Sequence, residues 1–482
     1  MSRLIEVPVW VLLALVLLAI VALLDRLLVP SVRWVIRRRL SSAVEKLNRR
    51  LRIEIPPFQL TKRRVLTDRL LFDPQVMAAT QAFARDNGVP HDVAMARVKA
   101  YAHEIVPSFN ADAYFRIGYA IGRAAARALY RVRLGSVDEA AIAAIPKNST
   151  VVVVMNHRSN MDYVLVAYLV AERTALSYAV GEWAQIWPLR ELIRSMGAYF
   201  VRRNSRDPLY RRVLERYIQM ATEGGVPQAV FPEGGLSRDG ALRPPKLGVL
   251  DYMLRAFDPS ADRTGGSRDI VFVPVGINYD RVLEDRTLLV DAPSERDQPR
   301  EKKGAIASTA TALSFAAKQL LLIIRQKWHR FGYACVNFGQ PISAGEFLRA
   351  RGVDLRPLDR DARGPHVEAF AQHLMTAIGA AVPILPVPLV ATALLEHPEG
   401  LSELDLKAAV RDLIARAEAH GGRPYVPRHD LDYAISFGVK SLVLRHLVEE
   451  TDGLFKMMSG EIGVVRYYAN SIAHLVGRPD AR

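Results

Sequence analysis

His157 and Asp162 stand five positions apart in Asn156-His157-Arg158-Ser159-Asn160-Met161-Asp162, a polar block set between the apolar runs 151–155 and 163–170. An aspartate that accepts a hydrogen bond from one imidazole nitrogen fixes the tautomer and leaves the other nitrogen to take a proton. The pair therefore reads as a general base with its orienting partner. The competing account is a polar loop in which Asp162 caps the next helix, and one His with one Asp at this spacing does not exclude it.

Three more blocks follow in order. Gly197-Ala198-Tyr199-Phe200-Val201-Arg202-Arg203 ends a β-like run in two arginines, whose planar guanidinium forks suit phosphate oxygens. Phe231-Pro232-Glu233-Gly234-Gly235-Leu236-Ser237-Arg238 puts a carboxylate, two glycines and an arginine after another such run. Glycines there let backbone N–H groups approach an anion or a developing oxyanion. Val273-Pro274-Val275-Gly276-Ile277-Asn278-Tyr279 is apolar except at its end. Each block alone has an ordinary explanation: a surface ion pair, a turn, a buried strand. Four of them in order, each at a strand end, weaken that explanation jointly.

The elements that must position these blocks are short β-branched runs at 151–155, 175–180, 199–201, 228–231, 270–275 and 334–337, alternating with helical stretches. That alternation predicts an α/β fold with a mostly parallel central sheet flanked by helices. His157 and Asp162 then fall at a solvent-accessible turn on the carboxyl edge of the sheet, where such folds hold ligands. Asp207-Pro208 is an N-cap and first-turn pair, and the run it opens ends at Gly224-Gly225. The chain divides into a membrane anchor with a basic juxtamembrane segment (1–60), a helical region (61–134) with an amphipathic helix from Tyr114 through Val132, the α/β domain (135–350), and a separate helical lobe (351–482). Within these, 285–304 reads as an exposed loop and 308–329 as an amphipathic helix.

Across 482 residues, 65 Lys and Arg against 50 Asp and Glu leave a formal charge of +15, which calls for acidic partners: nucleic acid, anionic lipid or phosphorylated substrates. Residues 7–24 are almost wholly apolar, close to the roughly twenty needed to cross a bilayer. Arg26, Arg33, Arg37, Arg38 and Arg39 follow, so the positive-inside rule puts the body of the protein on the cytoplasmic face, the inner membrane in a bacterium. An interfacial helix that never crosses stays open. The single cysteine, Cys335, rules out an internal disulfide and a cysteine zinc cluster.

The four blocks resemble those of the glycerolipid acyltransferases, and more closely the branch that acylates glycerol phosphate or dihydroxyacetone phosphate. His157-Arg158-Ser159 is followed by Asp162-Tyr163, and the second block has the Phe-Val-Arg-Arg form. The resemblance covers residues 101–341, and Tyr467-Tyr468-Ala469-Asn470-Ser471-Ile472-Ala473-His474 is similar to bacterial members. It implies that His157 is the catalytic base, that Asp162 is its partner and that Glu233 belongs to the same site. It also implies a substrate-binding set of Arg158, Ser159, Arg202, Arg203, Gly234, Gly235, Ser237, Arg238 and Lys246. The implied reaction moves a fatty acyl group from acyl-CoA or acyl carrier protein to the sn-1 hydroxyl of glycerol 3-phosphate, with dihydroxyacetone phosphate or lysophosphatidate as other acceptors. Membrane phospholipids are expected partners, and neither a metal, a cofactor nor nucleic acid is expected. Leu236 departs from the pattern, standing where many members carry arginine; Arg238 matches a second arginine often found there, and Arg243 or Lys246 would supply the missing charge. The chain lacks the G-x-x-x-x-G-K-[ST] and G-x-G-x-x-G motifs of a nucleotide-binding enzyme and the G-x-S-x-G elbow of a serine hydrolase. A non-catalytic adaptor on anionic membranes is the remaining alternative.

Overall fold

The computed structural model describes residues 55–170, 174–181, 189–202, 205–258, 268–290 and 331–477. The apolar segment 7–24 with its basic run, Arg203 and the stretch 308–329 lie outside the described residues. Among the described residues no helix is long and apolar enough to cross a membrane.

The main helices are α1 (Arg63–Leu71), α2 (Pro74–Asp86), α3 (His91–Ile105), α4 (Tyr119–Leu129), α5 (Met161–Val170), α6 (Pro208–Glu223), α7 (Leu247–Leu254), α8 (Arg360–Ala381), α9 (Pro386–Glu396), α10 (Glu403–Ala419), α11 (Leu431–Val443) and α12 (Ile462–Asn470). The central sheet uses β1 (Arg131–Leu134), β2 (Ser149–Met155), β3 (Ser177–Val180), β4 (Tyr199–Phe200), β5 (Gln228–Val230), β6 (Asp269–Tyr279), β7 (Tyr333–Phe338) and β8 (Ile342–Ser343). Its order is β1-β7-β6-β2-β5-β3-β4, with β8 beside β6. From β6 to β4 all pairings are parallel, whereas β7 and β8 run antiparallel to β6.

β2 explains why the sheet is covered on both faces. Its valine run offers apolar side chains in both directions, as central parallel strands do. Val152 and Val154 join a core with α1, α2, α3, α6, α7 and α8. Val153 and Met155 join a second core with α5, α9, α10, α11 and α12. The start of α6 is as its sequence indicates: the Asp207 side chain accepts from Leu209 N at 2.9 Å and Tyr210 N at 3.2 Å, Pro208 opens the first turn, and Gly224 closes the helix.

Three expectations change. The helix expected through Val132 stops at Leu129, because Tyr130 turns extended and Arg131–Leu134 pairs with β7. Its Arg-Val-Arg-Leu alternation has the period of a strand, and the offered edge of β7 decides between the two. Of the expected loop 285–304, the first residues form a short helix, Asp285–Val290, and 291–304 lie outside the described residues. Residues 351–477 are no separate lobe, since α8 packs on β6 and α9 to α12 share the core of the sheet. A Cβ on Gly276 of β6 would lie 2.2 Å from the Ala381 backbone, so glycine is what lets the end of α8 lie against that strand.

Asp280, one residue beyond β6, ties this C-terminal part to the sheet. One carboxylate oxygen accepts from Tyr333 N at 2.8 Å and the other from Val387 N at 3.1 Å. Complete burial pushes it up to about 7 despite these bonds. A folded value above the ordinary one means its contribution to stability is full below about pH 4 and is lost as pH rises through about 7. Asp280→Asn cannot titrate. In urea unfolding it should therefore fall further below the unaltered protein at pH 5 than at pH 8; a gap that is constant or widens with pH would contradict this.

Candidate active site

The site starts where β2 ends. The Asn156 side chain accepts from Ile277 N at 2.7 Å and donates to Ile277 O at 2.8 Å, extending the β2–β6 ladder by one rung. His157 then leaves the sheet. Its Nδ1 lies 2.9 Å from Asp162 Oδ2, which also accepts from Arg158 N at 2.7 Å and Ser159 N at 3.0 Å. Tyr279 OH donates to the other oxygen, Oδ1, at 2.5 Å. Asp162 therefore faces back onto its own loop instead of capping α5. Met161 N is satisfied by Ser159 Oγ at 3.1 Å. With the Asp162 carboxylate surrounded by donors, the His157 proton is directed to Nδ1, and Nε2 makes no hydrogen bond to a described residue.

Phe231 stacks on the imidazole with centroids 3.9 Å apart, and Tyr163 meets it edge-on at 5.6 Å. The pair is more enclosed than a solvent-accessible turn: His157 is 3% exposed and Asp162 0%. The aromatic walls and the overlying C-terminal helix are the cause.

Glu233 holds the opposite side of the loop. Its Oε1 accepts from His157 N at 2.9 Å and its Oε2 from Arg243 N at 3.0 Å. Burial pushes the carboxyl up to about 7 against the lowering effect of these two bonds. Ser237 N donates to His157 O at 2.9 Å, and Ser237 Oγ to Ala241 O at 2.7 Å. Gly234 sits at φ +69°, where a Cβ would come 2.7 Å from Lys246 Cγ. Lys246 N closes the loop onto Pro232 O at 2.7 Å. Glu233 and Ser237 thus position the His157 backbone, while Gly234 makes room for the Lys246 stem. Gly235 is buried in this loop, and Arg238 is exposed on it.

Arg158 is 3% exposed, donates to Gly240 O and lies 4.7 Å from the Tyr467 ring centroid. Its Nε and Nη2 are buried with no partner among the described residues. Ser159 Oγ donates to Glu284 Oε2 at 2.8 Å. Arg202 stands apart from this network. It forks onto Glu104, with Nε 2.8 Å from one carboxylate oxygen, and lies against the Tyr101 and Tyr210 rings. Direct bonds therefore join His157, Arg158, Ser159, Asp162, Glu233 and Ser237, and Arg202 is joined to α3 instead.

Sequence reasoning overlooked four contributors. Tyr279 was signalled only as the polar end of an apolar block, and Asn156 as the first residue of the first block. Tyr467 lies in the similar C-terminal block, and Glu284 carries no local signal.

Residues 138–278 match the family model Acyltransferase, and residues 317–479 match Glycerol-3-phosphate acyltransferase C-terminal region. An acyltransferase domain is thus the class that frames the four blocks. Among curated proteins, a glycerol-3-phosphate acyltransferase of Xanthomonas campestris pv. campestris is 29% identical over 91% of this chain and 48% of its own length. One from Pseudomonas putida is 30% identical over 87% of this chain and 50% of its own. The chain is thus similar to the glycerol-3-phosphate acyltransferases, and it spans about half the length of the curated relatives it matches. The solved 1-acyl-sn-glycerophosphate acyltransferase PlsC of Thermotoga maritima is similar over 54% of this chain and 78% of its own, at 17% identity and a TM-score of 0.30.

Tyr279→Phe removes one donor from a buried carboxylate and leaves the ring in place. A hydrogen bond to a charged group contributes about 1.5–3 kcal/mol, so a loss of stability of about that size is expected in chemical unfolding. Unchanged stability would show that the Tyr279 hydroxyl does not hold Asp162.

Proposed function

We propose that this chain transfers a fatty acyl group from acyl-CoA or acyl carrier protein to the sn-1 hydroxyl of glycerol 3-phosphate, giving lysophosphatidate for phospholipid synthesis. The observation that carries the reading is the His157–Asp162 pair, with Nδ1 held at 2.9 Å and Nε2 left for a substrate proton. The acceptor hydroxyl gives its proton to Nε2 as its oxygen attacks the thioester carbonyl. The tetrahedral adduct then breaks its carbon–sulfur bond, and the thiolate recovers the proton from the imidazolium. Asp162 stabilises that imidazolium through Nδ1–H. General-base assistance of this kind contributes about 10² to 10⁴ in rate.

The acceptor phosphate needs cationic donors, and Arg158 supports that role best. Its Nε and Nη2, without a partner among the described residues, are buried in the site loop, where a phosphate oxygen would satisfy them. Lys246 and Arg238 sit on the neighbouring loop. Arg202 would have to exchange Glu104 for phosphate. The apolar segment 7–24 and its basic run support a membrane location with the catalytic part on the cytoplasmic face, close to its phospholipid products.

The test uses purified full-length chain with acyl-CoA or acyl carrier protein as donor, and glycerol 3-phosphate, dihydroxyacetone phosphate or lysophosphatidate as acceptor. Glycerol 3-phosphate should be acylated fastest, and His157→Ala should lower turnover by about 10² to 10⁴. Arg158→Gln should raise the acceptor KM roughly tenfold or more while the donor KM holds. Near-normal turnover in His157→Ala would overturn the base assignment, and donor and acceptor constants rising together would overturn that of Arg158.

A further inference from the structure

We propose that a groove at the outer edge of the sheet, beside β1, binds the phosphate-bearing nucleotide end of a coenzyme A thioester. This rests on the acyl-transfer reading above and specifies its donor. The groove has a volume of about 690 Å³ and lies between α4, α5, β1 and the segment leading into α11. That is within the roughly 300–1,000 Å³ typical of small-molecule sites.

Four arginines line it: Arg127, Arg131, Arg133 and Arg428. Among the described residues none of them has a carboxylate partner. Their contacts are tyrosines. Arg127 Nε donates to Tyr168 OH at 3.1 Å, and Arg133 Nε to Tyr425 OH at 3.0 Å. Arg131 Nη1 donates to Tyr333 OH at 3.4 Å and Tyr433 OH at 3.3 Å, and the Arg428 guanidinium lies 4.2 Å from the Tyr433 ring centroid. The nearby acids are engaged elsewhere: Asp430 caps α11, Asp432 faces Lys407 at 3.6 Å, and Asp280 is buried on Tyr333 N and Val387 N. Like charges gathered with only the buried Asp280 within electrostatic reach of one of them, Arg131, repel one another, so the groove favours an anion.

A second observation is independent of charge. Arg428 and His429 are consecutive non-glycine residues in the left-handed region, at φ 62° and 57°. Such conformations persist where surrounding structure imposes them, and they gather at ligand clamps. Here the strained turn presents Arg428 to the groove.

Position selects the ligand. β7 is antiparallel to β6, and Arg131 pairs with Tyr333, next to the Ala334 that faces Tyr279. Arg131 is thus level with the carboxyl end of β6, at the sheet edge that carries His157. Three strand spacings, β1 to β7 to β6 to β2, separate them, about 14 Å. In glycerol 3-phosphate the phosphate and the reacting hydroxyl share a three-carbon backbone, too short for that gap. In a coenzyme A thioester the pantetheine arm separates the phosphates from the reacting carbonyl. Guanidinium groups serve its phosphates, and their planes offer stacking surfaces for its base. A concave groove also suits a discrete ligand better than the plane of lipid headgroups.

Calorimetry on the full-length chain with coenzyme A, dephospho-coenzyme A and pantetheine tests this without turnover. Coenzyme A should bind tightest. Arg133→Gln and Arg428→Gln, both at exposed side chains, should each weaken it roughly tenfold or more while melting temperature and pantetheine affinity hold. Unchanged coenzyme A affinity in both variants would overturn the proposal, as would equal losses for coenzyme A and pantetheine. So would a loss confined to phosphatidylglycerol vesicles or to acyl carrier protein, which would give the groove to a headgroup or to a carrier. Coenzyme A bound as expected by a chain that transfers no acyl group would sink the proposed function and leave the groove assignment standing.

Discussion

Asp162 is a carboxylate with no exposed surface, and removing such a group from water costs several kcal/mol unless donors replace the solvent. The replacement here comes from three directions: the imidazole of His157, the loop backbone at Arg158 and Ser159, and the Tyr279 hydroxyl at the end of β6. Because two of the donors are backbone groups, the carboxylate dictates the path of the loop that carries the histidine. Because another comes from β6, that loop is fastened to the neighbouring strand. The Asn156 rung and the Ser159–Glu284 bond extend the same fastening on either side.

The imidazole is consequently held through its backbone as well as its ring. Glu233 takes the His157 N–H and Ser237 N donates to the His157 carbonyl, so the third block grips the first from below. The C-terminal helix closes the arrangement from above. Gly240, at φ +89°, lies so near the Tyr467 carbonyl that a Cβ would come 1.9 Å from it, and Asn470 Nδ2 donates to Asp239 O at 2.9 Å. Tyr468 reaches Val282 N at 3.0 Å. The two stretches that match different family models therefore meet over one site.

The positive charge is distributed unevenly in a way that matters more than its total. Arg202, Arg216, Arg363 and Arg445 are matched to Glu104, Asp73, Asp251 and Asp285, and serve to hold helices and loops together. Arg158 and the arginines beside β1 have no such carboxylates among the described residues. An anion has most to gain where the protein has not already supplied its own.

Much of this was legible in the chain itself. The valine run of β2, the Asp207-Pro208 cap and the alternation of strands with helices determine an α/β fold, because period and capping chemistry act over a few residues. The polar block between two apolar runs likewise put His157 and Asp162 together, since a strand-to-helix turn brings residues five apart within hydrogen-bond reach. What the chain alone left open depends on partners far away in sequence. The Arg131–Leu134 segment is a strand because β7, some two hundred residues later, offers it an edge. Arg202 pairs with Glu104 on α3, and the last third of the described chain packs over the active loop instead of standing apart. Tyr279 bonds Asp162 across 117 positions, a separation that no local pattern encodes. Local spacing determined which residues could do chemistry; only long-range packing decided which carboxylate holds each of them, because burial and hydrogen-bond satisfaction are settled over the whole fold.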